Sequence, residues 1–219
     1  MLEIMQLVST NVGHSEAISF KSKTFTTGIC KYPVNGSVTL TEAGVRDDVI
    51  VDSNHHGGVD QAVYAYSSDD YEWWARHEDY DFTAGLFGEN LTIQGLPRDM
   101  NVGDRLLIGE VVLEATSPRI PCSTFAARMQ DSGFGMRFRK AERPGVYFRV
   151  LNGGEVAAGD GVTFVANDSS SVSILELFRF NYAMQHDIRE MQRYLDAPIA
   201  IRFREKIESR LKAAEGRSD

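Results

Sequence analysis

The chain has 219 residues, a formal net charge of −8 and 42% apolar residues, which suits one globular domain with an appendage or two small ones. The acidic balance argues against a nucleic-acid backbone as main partner, and no apolar run approaches membrane-spanning length. Two cysteines, Cys30 and Cys122, are too few for a disulfide framework or a four-thiolate zinc site. The excess acid lies in the first 169 residues, and the remainder is close to charge balance. No basic segment followed by an apolar core opens the chain, so the cytoplasm, with both thiols reduced, is the expected compartment.

Alternation over Ile4–Val8 predicts an opening strand. Lys31–Gly36 reads as a loop, and β-branched Ser37–Thr41 as a strand. The polar stretch holding Asp47, Asp48 and Asp52 leads to His55-His56-Gly57-Gly58-Val59-Asp60, then to a strand over Ala62–Tyr66. Ser67 and Ser68 can cap a helix ending near His77, with Tyr71, Trp74 and Glu78 on one face. Phe87-Gly88-Glu89-Asn90 is a glycine turn into the strand Leu91–Ile93. A hairpin follows over Val102–Ile108 and Val111–Ala115.

Thr116-Ser117-Pro118-Arg119-Ile120-Pro121-Cys122 is next. Its prolines remove donors and fix φ, so a stiff connector is predicted rather than regular structure. It would hold Arg119, a planar anion-gripping fork, near Cys122 at the start of a helix over Ser123–Gln130, where a thiolate is favoured. A buried structural cysteine is the bland alternative. Beyond lie a strand over Gly145–Leu151, a tight turn at Asn152-Gly153 and a last strand over Val162–Val165. Short strands with glycine turns and no βαβ rhythm predict a mainly β fold, a closed or partly closed β-barrel with a few short helices.

Composition shifts at Asn167–Ser171, placing a boundary between residues 1–168 and a small α-helical C-terminal domain, 169–219. Three amphipathic helices are expected there. Ser173 and Glu176 form a capping box, Asp187 and Glu190 a looser one, and Pro198 suits a first helical turn ahead of Phe203, Ile207 and Leu211. Their apolar stripes need a partner: each other, the barrel, or a second subunit in a homodimer.

Taken jointly, Lys31–Val34, Gly44–Asp52, His56–Asp60, Ala62–Tyr66, Phe87–Leu91, Pro118–Cys122 and Gly145–Leu151 resemble the MOSC family, named for the C-terminal domain of molybdenum cofactor sulfurase. The match extends to the family's YiiM-like bacterial branch, which carries a three-helix tail. The resemblance implies a barrel around a molybdenum–pterin cofactor, with Cys122 as a thiolate ligand or persulfide carrier. It implies reduction of N-hydroxylated compounds such as base analogues, with electrons from a separate redox protein. The cofactor's phosphate would meet Arg119, Lys31 and Arg149. Glu89 and Asn90 would contact the cofactor or lock a barrel corner, and His56 and Asp60 would handle protons or shape the site. The sequence departs from the family pattern at Asp47 and Ile50, where Gly and Gln are usual, and at Gln61 and Thr124, where cations are common.

Two rival readings are a sulfur or cofactor carrier and a non-catalytic module for an anionic small molecule. The second would be favoured by a buried Cys122 and an internal salt bridge on Arg119. Asp52, His55, His56 and Asp60 could hold a metal, although no helical spacing gathers them. Arg137, Arg139, Lys140 and Arg143, beside Phe134, Met136 and Phe138, read as a docking face for an acidic electron donor, a flap, or a solvated loop. Trp73 and Trp74 read as helix-to-barrel packing or a stacking platform.

Overall fold

The computed structural model describes residues 5–53, 56–168 and 172–215. Ile4, His55 and Ser169–Ser171, on which parts of the reading above fall, lie outside the described residues. The strands are β1 (Met5–Gly13), β2 (Glu16–Phe20), β3 (Lys23–Thr27), β4 (Lys31–Pro33), β5 (Ser37–Thr41), β6 (Gly44–Val45) and β7 (Val63–Ser67). They continue with β8 (Leu91–Gln94), β9 (Arg105–Ile108), β10 (Val111–Pro118), β11 (Val146–Asn152), β12 (Gly154–Ala157) and β13 (Gly161–Val165). The helices are α1 (Ser68–His77), α2 (Ser123–Arg128), α3 (Phe134–Ala141), α4 (Ile174–Tyr182), α5 (Ile188–Asp196) and α6 (Ile201–Glu215).

Seven strands close a barrel in the order β13-β9-β10-β11-β7-β8-β1, and β1 returns to β13 through Met5↔Val162 and Gln6↔Gly161. Closure leaves no free edge on that ring. The β7–β8 pair is parallel, and the other ring pairs are antiparallel. Strands β12, β5 and β6 form a small sheet, and β2–β3 is a separate hairpin. Along β11, Val146, Phe148 and Val150 point into the barrel core while Tyr147 and Arg149 point out. Strand β7 is buried on both faces. Val63 and Ala65 face the barrel interior, whereas Tyr64 and Tyr66 join Tyr71, Trp74, Phe87, Phe125, Phe134 and Phe138 in an aromatic cluster outside it.

Several local expectations change under tertiary pairing. Lys31–Pro33 is a strand rather than loop, because it lies against the end of β1. Strand β10 runs through Pro118, so the irregular connector shortens to residues 119–122. The proline is tolerated because β9 pairs only with Val111–Glu114, leaving the strand end to β11, with a bulge between Ala115 and Ser117. The basic segment at residues 134–141 is a helix. Phe134 and Phe138 are buried, Arg137 pairs with Glu78 and Asp131, and Arg143 pairs with Asp70. Trp74 is fully buried against Phe138, as packing required. Asp47 keeps the turn usually made by glycine, at φ 67°, a conformation that Asp adopts more readily than most residues.

The Ser173–Glu176 capping box forms, and Asp187 caps α5. Pro198 precedes α6 instead of sitting in its first turn, since the helix starts at Ile201. The stripes on these helices find partners in each other and the barrel. Leu177, Phe180, Met191, Tyr194, Phe203 and Ile207 belong to the same hydrophobic cluster as Leu106, Leu113 and Val150. The backbone joins the two parts as well, with Val102 N–H donating to Val172 and Ala200 N–H to Thr116. No helix among the described residues is long and apolar enough to cross a membrane.

Asp60 and Arg149 secure that junction. Asp60 Oδ1 accepts from Arg149 at 3.0 Å, Asp60 Oδ2 accepts from the Ile201 N–H at 2.7 Å, and Arg149 also reaches Glu114 and the Pro198 carbonyl. Removing the carboxylate takes one of Arg149's two ion-pair partners and orphans the Ile201 N–H, a helix-terminal donor. Asp60→Ala is expected to cost about 2–3 kcal/mol and to lower Tm by roughly 5–10 °C, read by thermal unfolding. An unchanged Tm would show that the junction does not depend on this pair.

Candidate functional site

A cavity of about 310 Å³ is lined by residues 25–29 and 48–52 together with His56, Tyr64, Asn90, Arg119, Cys122 and Tyr147. This is at the small end of the range for small-molecule sites. Strand β10 delivers Arg119 and Cys122 to its floor: the strand ends at Pro118, and Cys122 is the N-cap of α2. Gly88 permits the close approach opposite them. It sits at φ 80°, and a Cβ there would lie 2.9 Å from Ile29 Cγ1 and 3.6 Å from Arg119 Nη1.

Arg119 is 5% exposed and has no carboxylate partner among the described residues. One Nη donates to the Phe87 carbonyl, while Nε has no hydrogen-bond partner. The guanidinium lies 4.3 Å from the Phe125 ring centre and 5.4 Å from that of Tyr64, so aromatic faces replace part of its lost hydration. Cys122 is one of the titratable groups that act on it electrostatically, after Tyr64 and Tyr147. Burial pushes the Cys122 thiol up, but a hydrogen bond from His56, the Arg119 guanidinium and the Phe125 backbone N–H together bring it down to about 6. It is therefore mostly thiolate at neutral pH, the form that binds metals and attacks electrophiles. Cys30, by contrast, is buried, and burial raises its pKa to about 11.

Lys31 also reaches the cavity, but it is not a free cation. Its Nζ lies 2.5 Å from both oxygens of Asp48, which also accepts from Gly13 N–H at 2.7 Å and Asn90 Nδ2 at 3.0 Å. Burial lowers the Lys31 pKa, and Asp48 works against that. Asn90 lines the cavity while its Oδ1 accepts from Tyr64 N–H. Its neighbour Glu89 is fully buried behind the wall. It accepts from Gly85 N–H, Thr92 and Tyr71, and burial raises its pKa. Glu89 thus locks the corner, and Asn90 forms the wall. Burial also raises the Tyr64 and Tyr147 pKa values, keeping both phenols neutral.

Of the residues singled out from sequence, the structure gathers Cys122, His56, Arg119, Lys31 and Asn90 at one cavity. Asp60 and Arg149 lie instead at the junction with α6, committed to each other. Among the described residues no three of His, Cys, Asp and Glu converge as metal ligands, and His55, one member of the aspartate–histidine cluster read from sequence, lies outside them. Thr124 and Gln61 both face the cavity without charge. Sequence reasoning missed three contributors. Asp48 silences Lys31, and Tyr147 supplies wall from an outward strand position. Arg202, in α6, grips the loop that carries His56. Only the polar flank that Arg202 occupies beside Phe203 and Ile207 hinted at its use.

The MOSC domain model matches residues 52–163 of this chain. Protein YiiM of Escherichia coli is 30% identical over 173 residues, covering 77% of each chain. The crystal structure of YiiM from Geobacillus stearothermophilus superposes with a TM-score of 0.77 at 29% identity, over 94% of this chain and 99% of that one. A protein of Gibberella moniliformis named reductase is 27% identical over 194 residues, which make up 86% of this chain but only 34% of the fungal one.

The two thiols provide an internal comparison. Alkylation of Cys122 by iodoacetamide is expected to follow an apparent pKa of about 6, while Cys30 stays inert at neutral pH. Rate falls as pH drops through that value, because the thiolate is the nucleophile. His56→Ala should raise the apparent value by roughly one unit or more. A wild-type value above about 8, the range of an unperturbed thiol, would contradict the arrangement.

Proposed function

The chain belongs to the MOSC domain family, and from that premise we propose that it binds a molybdenum–pterin cofactor in this cavity and reduces N-hydroxylated compounds in the cytoplasm. The observation that carries the proposal is the buried Arg119, with no carboxylate partner among the described residues and an unsatisfied Nε, beside the low-pKa Cys122. A guanidinium lacking a carboxylate and holding an orphan Nε suits a phosphate, since two charged partners in a dry site offset each other's desolvation. A thiolate suits a soft metal centre. The donor set and the close approach at Gly88 therefore fit the group. Cys122 would ligate the metal, Arg119 would hold the phosphate, and Asn90 with the neutral Tyr64 and Tyr147 would wall the pterin.

When bound, molybdenum supplies two-electron redox chemistry with affinity for oxygen. The overall change consumes two electrons and two protons, breaks the N–O bond and yields the amine and water. The electrons come from a separate redox protein, since the chain contains no flavin, haem or iron–sulfur signature. His56, which hydrogen-bonds Cys122, would deliver a proton to the departing oxygen. Support also comes from the reductase-named fungal relative, in which the segment like this chain is one third of the whole.

Anaerobic reconstitution with released molybdenum cofactor tests the reading. Stoichiometric metal is expected in the wild type and none in Cys122→Ala. Arg119→Gln should weaken cofactor binding by roughly 10- to 100-fold, the worth of one charge-assisted contact. Equal metal in wild type and Cys122→Ala would remove the cysteine as a ligand. No binding by either folded protein would leave a module for another anion, and labile sulfur on Cys122 without turnover would identify a sulfur carrier.

A further inference from the structure

The loop that carries His56 has little regular structure of its own. Gly57 and Gly58 are both at positive φ, 69° and 87°. Two successive glycines carry the largest backbone entropy to be lost on ordering. Among the described residues of the loop, His56 N–H donates to the Asp52 carbonyl and Gln61 N–H to the Gly58 carbonyl. Three of its carbonyls accept from outside, from one side chain 145 to 149 residues away in sequence. Arg202 Nη1 donates to the Gly57 carbonyl at 2.8 Å and to Gln61 Oε1 at 2.7 Å. Arg202 Nη2 donates to the Ser53 carbonyl at 2.9 Å and, at a longer 3.4 Å, to the His56 carbonyl. Two nitrogens of a planar fork reach four acceptors here, one more than the three donors on the single nitrogen of an ammonium could serve. Gln61 completes the clamp as a neutral acceptor; a cation there would repel Arg202.

We propose that Arg202 is a positioning residue for the cavity, holding the His56 side chain against Cys122, and that the first turn of α6 is thereby a working part of the site. The neighbouring Asp60–Ile201 contact registers that turn against the same loop. This deepens the reading of the cavity as the functional site. It does not need the cofactor reading, because its consequence is visible in the reactivity of the free thiol.

The test measures iodoacetamide alkylation of Cys122 at pH 6 in the cofactor-free protein, with variants confirmed folded by circular dichroism and thermal unfolding. Arg202→Met should slow alkylation roughly fivefold, a fall in thiolate fraction partly offset by the higher nucleophilicity of a more basic thiol. Arg202→Lys, which keeps charge but not the fork, should fall between Arg202→Met and wild type. In a His56→Ala background neither variant should change the rate further, because Arg202 acts through His56. A wild-type rate in folded Arg202→Met would overturn the proposal. So would an equal effect in the His56→Ala background, which would mean that Arg202 alters access rather than the histidine. If Arg202→Met does not fold, Arg202→Lys is read by the same two criteria. Molybdenum binding by the wild type is scored separately, so loss of the cofactor reading leaves this test intact.

Discussion

A guanidinium buried without a carboxylate is the constraint around which the cavity is arranged. Leaving such a charge unpaired in a protein interior costs several kcal/mol, and three other buried or half-buried cations have been dealt with differently. Lys31 is neutralised by Asp48, Arg149 by Asp60 and Glu114, and Arg143 by Asp70. Arg119 is held by the Phe87 carbonyl, the faces of Phe125 and Tyr64, and the thiolate of Cys122. The Glu89 corner exists to present that carbonyl: Glu89 and Tyr71 fix Gly85 and Phe87, and Phe87 in turn meets Arg119.

The departures from the family pattern take on definite meanings in this frame. Asp47 adopts the left-handed turn that glycine would make more cheaply, and it keeps Asp48 in reach of Lys31. Gln61 replaces a cation but accepts from Arg202, so the position has exchanged a charge facing the cavity for a contact with the tail. Thr124 faces the cavity as a neutral wall. Together these leave Arg119, beside the Cys122 thiolate, as a cavity cation with no carboxylate partner among the described residues. That suits a ligand whose charge is concentrated in one group.

The helical tail is continuous with the barrel in physical terms. Its core residues share the barrel's cluster, its entry is bonded to the Met100–Val102 segment, and its last helix holds both Asp60 and the His56 loop. Burying three amphipathic stripes against the barrel removes the need to expose them. The same packing puts a side chain from near the C-terminus beside a loop in the first third of the chain.

Much of this was legible in the sequence, and the division follows the range of the forces involved. Alternation, glycine turns and capping residues act over a few positions, so the barrel strands, α1 and the capped starts of α4 and α5 were readable from local pattern. Arg119 and Cys122 were readable as a pair for the same reason, being three residues apart on a stiff segment. The strand at Lys31–Pro33, the extension of β10 through Pro118 and the helix at Phe134–Ala141 were not, because each is fixed by what packs against it. Least legible was which cation would be free. Lys31, Arg119 and Arg149 carry the same charge in the sequence. Only the fold brings Asp48 to the first and Asp60 to the third, and leaves the second with a thiolate. Charge pairing is decided by distance in space, which the tertiary structure sets and local sequence does not.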